Sequence, residues 1–117
     1  NVRFLVFTKS LNEIKKIIES LAVPFDTLFN YAGIGDFGLT ALNDLSRNRT
    51  LGLLIGKGFF GKNPGNPVVL EGVKAIDHFI KMFDKQQLSE LKYIILLQDL
   101  FNNKINVKDF VNTVIYT

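Results

Sequence analysis

Phe4, Phe7, Leu11, Ile14, Ile18 and Leu21 recur at alternating spacings of three and four residues. That period puts all six on one face of an α-helix. A strand needs alternation, and no run of this chain keeps it convincingly. Lys9, Glu13, Lys15, Lys16 and Glu19 fall between the apolar positions, as a solvated face requires. Val2, Leu5 and Val6 are apolar but off the stripe, so the helix is expected to be buried all round at its start.

The same period continues along the chain. Pro24 suits the first turn of a second helix, where its missing N–H costs nothing. Phe25, Leu28, Phe29 and Ala32 form its stripe, and Gly33 is expected to stop it. Residues 33–43 are mixed and glycine-rich. A third helix is predicted from Asp44 or Ser46, both good caps, through Leu51, Leu54 and Ile55. Gly52 and Gly56 lie one turn apart on it and permit close approach by a neighbour. Residues 58–67, rich in glycine and proline, read as a loop. A fourth helix carries Val69, Val73, Ile76, Ile80 and Phe83 on one side. A fifth, over about 87–101, is apolar around most of its circumference and is expected to be central. Asn106 caps a last helix that turns Val107, Phe110, Val111 and Val114 inward. The predicted fold class is all-α, a multi-helix bundle in one domain spanning 1–117.

Composition removes many chemistries. The 117 residues are 47% hydrophobic, too apolar for a disordered segment. Zero cysteines exclude a disulfide framework, a thiolate nucleophile and a cysteine-ligated metal. A single histidine, His78, excludes a histidine-rich metal site, so no metal is expected. A net charge of +3 suits an anionic ligand without demanding nucleic acid. The longest unbroken apolar run, Tyr93–Leu97, is far short of the about 20 residues a membrane span needs. Neither a signal peptide nor a span is expected, and a cytoplasmic location is. The chain opens on Asn1 and its only methionine is Met82, so an excised piece of a longer reading frame is expected.

Three motifs bear on chemistry. Gly56-Lys57-Gly58-Phe59-Phe60-Gly61 spells a dinucleotide fingerprint. A real fingerprint follows a strand and opens a helix, whereas this one follows a helix and enters a loop. It reads as a helix exit. Ser46-Arg47-Asn48-Arg49 places two arginines in the first turn of a helix, where the macrodipole disfavours cations. An arriving phosphate would resolve that, binding the free N–H groups and one guanidinium. The plainer alternative is a solvated helix start paired with nearby carboxylates. In Gly33-Ile34-Gly35-Asp36-Phe37-Gly38-Leu39-Thr40, a helical segment would set Asp36 and Thr40 on one face, able to hold a polyol. An Asx-type turn is the plainer reading there. At about 100° per residue, His78 and Glu71 both point away from the apolar stripe of the fourth helix. His78 reads as a solvated residue, and Glu71 is left available to solvent or a ligand.

Taken together, the blocks Asn1-Val2-Arg3, Ala32-Gly33-Ile34-Gly35-Asp36 with Thr40, Ser46-Arg47-Asn48-Arg49 and Val69-Leu70-Glu71-Gly72-Val73 resemble bacterial NAD(P)-dependent glycerol-3-phosphate dehydrogenase. The order and spacing match the C-terminal half of that family, weakening after about residue 85. The resemblance implies a helical substrate-binding domain, related to the C-terminal domain of 6-phosphogluconate dehydrogenase. Its partner would be the enzyme's own N-terminal Rossmann domain. It implies interconversion of sn-glycerol 3-phosphate and dihydroxyacetone phosphate, in glycerophospholipid biosynthesis, with NAD or NADP held mainly by the missing domain. By position, Asp36 and Thr40 are the catalytic residues, with Asp36 also meeting the polyol. Ser46, Arg47 and Asn48 contact the substrate and its phosphate. Arg47, Val69 and Glu71 face the cofactor. The family's proton-accepting lysine would lie before Asn1, so the isolated chain is expected to fold without catalysing. A homodimer is compatible with this reading.

Two other function classes compete. One is a non-catalytic helical module for a phosphorylated or nucleic-acid ligand, supported by the basic bias but not by any continuous basic stripe. The other is a pure interaction or dimerisation domain.

Overall fold

The computed structural model describes residues 2–43, 45–59 and 67–117, with 67–70 described by their backbone alone. The described elements are helical: α1 (Val2–Ser20), a 3-10 turn (Phe25–Phe29), a π-turn (Tyr31–Gly35), α2 (Asp36–Leu42), α3 (Arg47–Gly56), α4 (Pro67–Lys81), α5 (Lys85–Ser89), α6 (Lys92–Phe101) and α7 (Val107–Tyr116). Among the described residues there is no strand, and no helix is long and apolar enough to cross a membrane.

Each start signal in the sequence has a visible cause. Ser46 caps α3, accepting the Arg49 N–H at 3.4 Å. Asp44, the other candidate cap, lies outside the described residues. Asn106 accepts the Asp109 N–H at 2.8 Å and opens α7. Pro24 precedes the 3-10 turn rather than an α-helix.

The core gathers where α3, α6 and α7 meet. Leu51 and Ile55 of α3 and Leu100 of α6 are buried together, with Phe101, Ile105, Val107 and Phe110 packed around them. Gly72 of α4 faces this core, where an added β-carbon would make ordinary contact at 3.8 Å with both Leu51 and Phe101. Helix α6 packs against α1, α4, α5 and α7, the central place its apolar circumference predicts. Val111, expected inside, is exposed.

Three further expectations are overturned. The start of α1 is not buried all round: Val2 and Phe4 are 56% and 65% exposed. The described elements cover α1 further along, where Phe7 stacks on Phe37 of α2 with ring centroids 5.0 Å apart. Gly33 does not stop a helix, because the chain continues through the π-turn into α2. The expected helix over 87–101 begins earlier and is broken in two. Asp84 and Gln87 form a reciprocal cap that starts α5. The chain then leaves helical geometry at Leu91, which is only 1% exposed.

Helix α6 restarts on a cap supplied by α1. The Glu13 carboxylate accepts the N–H groups of Tyr93 and Ile94, each at 2.8 Å. Glu13 is therefore buried, at 8% exposure, rather than solvated as its place between the apolar positions suggests. An anion suits the positive end of a helix. One turn earlier, Lys9 Nζ donates to the carbonyls of Val114 and Ile115 at the last turn of α7, both at 2.8 Å. A cation suits that negative end. Burial, and then the Glu13 carboxylate, hold the Tyr93 phenol above its usual range.

Candidate functional site

The approach to Asp36 is built by Asn30. Its side-chain oxygen accepts the N–H groups of Ala32 at 3.0 Å and Gly33 at 3.2 Å, opening the π-turn. Gly33 then presses on the preceding 3-10 turn. A β-carbon at Gly33 would lie 2.5 Å from the Thr27 carbonyl oxygen and closer still to that of Leu28. Real β-carbons do not come that near, so glycine is required by space alone. The Asp36 N–H closes the turn on the carbonyls of Tyr31 and Gly33, and α2 begins. The Asx-type capping belongs to Asn30, not to Asp36. Among the described residues, the Asp36 carboxylate accepts no hydrogen bond.

Helix α2 carries Asp36 and Thr40 one turn apart, as the spacing predicts. Both line an open surface hollow of about 380 Å³, with Ile14 and Ile18 of α1 and Thr27 and Leu28 of the 3-10 turn on its other sides. That volume falls within the range of small-molecule clefts, about 300–1,000 Å³. Its apolar back wall and few polar groups suit a small hydroxylated ligand held at one end. Thr27 was not legible as part of this site, because only the packing of the two turns brings it beside α2.

The arginine pair divides its work. Arg49 Nη1 donates to the Leu42 carbonyl at 3.1 Å, placing a cation on the last residue of α2 and joining the two helices. Arg47 and Asn48 are exposed at the positive end of α3, and the Arg47 guanidinium makes no hydrogen bond to the other described residues. Ser46 is half-buried as the cap. The structure thus supplies an exposed guanidinium and helix N–H groups on the element that follows α2. It brings Asp36 and Thr40 into one hollow. Asn48 also lines an apolar cavity of about 510 Å³ between α3, α4, α6 and α7.

Glu71 is exposed on α4, and the side chain of Val69 lies outside the described residues. His78 is exposed, with Nδ1 3.1 Å from the Lys74 carbonyl, in keeping with a solvated place. The fingerprint-like glycines are a helix exit as far as they are described: α3 ends at Gly56, and Gly58 takes φ +84°. Phe60 and Gly61 lie outside the described residues. Among the described residues no close neighbour meets Gly52 or Gly56, where an added β-carbon would find nothing within 4 Å. Among the described residues, no three His, Cys, Asp or Glu side chains gather as metal ligands would.

This arrangement has known relatives. A family model described as bacterial GPD, NAD-dependent C-terminal, matches residues 32–93, from the π-turn into the first turn of α6. The glycerol-3-phosphate dehydrogenase [NAD(P)+] of Clostridium tetani is 36% identical over 91 residues, covering 76% of this chain and 26% of that protein. The enzyme of the same name from Clostridium botulinum is 33% identical over 106 residues, 89% of this chain and 32% of its own length. That from Stenotrophomonas maltophilia is 43% identical over 58 residues, 50% of this chain and 17% of the relative. The chain thus spans a third or less of the length of these relatives. No solved structure matches it. With more than half of its residues matched, including Asp36, Thr40 and the Ser46–Arg49 turn, the chain belongs to the family of C-terminal domains of bacterial NAD-dependent glycerol-3-phosphate dehydrogenases.

Proposed function

We propose that residues 1–117 act as the substrate-binding domain of a glycerol-3-phosphate dehydrogenase and supply one half of its active site. The observation that carries this reading is the hollow shared by Asp36 and Thr40, followed directly by the exposed Arg47 at the start of α3. A polyol phosphate has the matching parts. Its hydroxyls meet the carboxylate and the threonine hydroxyl, and its phosphate meets Arg47, Asn48 and the helix N–H groups beside Ser46.

The reaction oxidises the secondary alcohol of sn-glycerol 3-phosphate to the ketone of dihydroxyacetone phosphate. NAD or NADP would supply the hydride acceptor. An N-terminal Rossmann domain would hold most of it, and Arg47, Val69 and Glu71 of this chain would face it. The alcohol proton passes to a lysine in that other domain. Asp36 orients this lysine and stabilises the ammonium that forms when it takes the proton. Phosphate binding at Arg47 positions the reacting carbon. The exposed apolar residues at the start of α1, with Leu39 and Leu42 of α2, are the surface on which the other domain packs. On this reading the enzyme works in the cytoplasm and feeds glycerophospholipid synthesis.

The test is kinetic, in the full-length enzyme. Asp36→Asn should cut turnover by about 100-fold or more. Arg47→Ala should raise KM for glycerol 3-phosphate by about tenfold or more. Wild-type constants from both variants reject the assignment. The isolated chain should bind glycerol 3-phosphate weakly and oxidise none. Salt-sensitive binding of nucleic acid, with no response to glycerol 3-phosphate, would favour a non-catalytic module instead.

A further inference from the structure

The geometry points to Asn30 as a positioning residue for Asp36 and Thr40, an inference that rests on the substrate-domain reading above. Asn30 itself is outside the lining of the hollow and is exposed, with an extended backbone at φ −99° and ψ −176°. Its bonds all point forward along the chain. The side-chain oxygen takes the N–H groups of Ala32 and Gly33, and the main-chain oxygen takes those of Gly33 at 3.2 Å and Gly35 at 3.4 Å. One residue thus anchors three donors of the turn that ends at Asp36.

The turn matters because of its pitch. The Gly35 N–H reaches back five residues to Asn30, and the Asp36 N–H reaches back five to Tyr31. A π-turn holds one residue more than an α-turn, and such insertions occur often at functional sites. Relaxation to α pitch would rotate the residues after it by about 100°. The upstream side cannot absorb that rotation, because Gly33 is locked against the Thr27 and Leu28 carbonyls. The rotation would instead reach α2, turning Asp36 and Thr40 away from the hollow and Phe37 away from its stack on Phe7. Asn30 fixes the start of this turn by satisfying the Ala32 and Gly33 N–H groups, which no main-chain carbonyl within the turn can reach except its own.

The test uses the 117-residue chain, ¹⁵N-labelled, with Asn30→Ala and Asn30→Asp. Aspartate keeps the accepting oxygen and alanine removes it. Amide hydrogen exchange and titration with glycerol 3-phosphate are read residue by residue. Asn30→Ala should speed exchange across 33–40 by about tenfold, leaving the amides of Ile14 and Ile94 at wild-type rates. The shifts that glycerol 3-phosphate causes at Asp36 and Thr40 should vanish, while those at Arg47 and Asn48 persist. Asn30→Asp should restore both. Wild-type exchange and wild-type shifts in Asn30→Ala overturn the proposal, as does faster exchange spread evenly through α1 and α6. If the wild-type chain ignores glycerol 3-phosphate, the dehydrogenase reading falls. The exchange pattern then decides the role of Asn30: a change confined to 33–40 upholds it, and any other pattern overturns it.

Discussion

The Glu13 carboxylate accepts the main-chain N–H of Tyr93 at 2.8 Å, across 80 residues of sequence. With the Ile94 N–H on its other oxygen, it replaces the local cap that α6 lacks, since Leu91 at the N-cap position offers no side-chain bond. Glu13→Ala should therefore leave two N–H groups open at a partly buried helix start. The expected loss is about 2–3 kcal/mol of folding stability, read as a lower urea midpoint. Glu13→Gln retains one acceptor and should lose roughly half as much.

Lys9 does the complementary task at the far end of α7. Lys9→Met keeps the aliphatic stem and removes the donor to the Val114 and Ile115 carbonyls. A loss of about 1 kcal/mol is expected, with faster amide exchange confined to the last turn of α7. A uniform change along α7 would contradict a capping role.

Tyr93 gives the fold an alkaline limit. Its phenol is raised above the ordinary value of 10.0, first by burial and second by Glu13. A raised value in the folded state means that folding favours the neutral phenol. The associated stability is full below pH 10.0 and is lost as pH rises through the raised value. Urea midpoints measured from pH 8 upward should be flat and then decline. In Glu13→Gln the ionisation, followed by ultraviolet absorbance, should move only part of the way back, because burial remains.

Two glycines should respond in opposite directions. Gly33→Ala drives a methyl into the Thr27 and Leu28 carbonyls and should cost about 3 kcal/mol or more. Gly52→Ala, inside α3, meets nothing within 4 Å among the described residues and should add up to about 1 kcal/mol. Thermal melts of the two variants, run beside wild type, check both signs.

What could be read from the sequence was local. The three-and-four spacing from Phe7 to Ile18 is a property of one helix, so α1 was legible without its neighbours. The caps at Ser46 and Asn106 act within three residues and were legible for the same reason. So was the Asp36–Thr40 pairing, once the segment was taken as helical. Glu13 was not, because its burial depends on a helix start 80 residues later, and an acid between apolar positions looks solvated. The break at Leu91 belongs to the same relationship. The π-turn escaped because Gly33 signals a stop until the carbonyls beneath it are known. Asn30, a preferred capping type just before Tyr31, was the one local sign available. The two arginines of Ser46–Arg49 could not be told apart either. Only the route of the chain from Leu42 to Ser46 decides which of them reaches back to α2.

The two polar contacts of α1 also set a timetable. Lys9 and Glu13 have their partners 80 to 106 residues downstream. During synthesis, α1 leaves the ribosome with a carboxylate and an ammonium that water holds until their partners in α6 and α7 are made. Closing so long a loop costs chain entropy before any bond repays it. The hollow around Asp36 can begin to assemble from neighbours close in sequence, while α1 finishes docking only after α7 is made. A ribosome stalled before Val107 should therefore hold a nascent chain whose first helix remains open to proteases, and release of the remaining residues should close it.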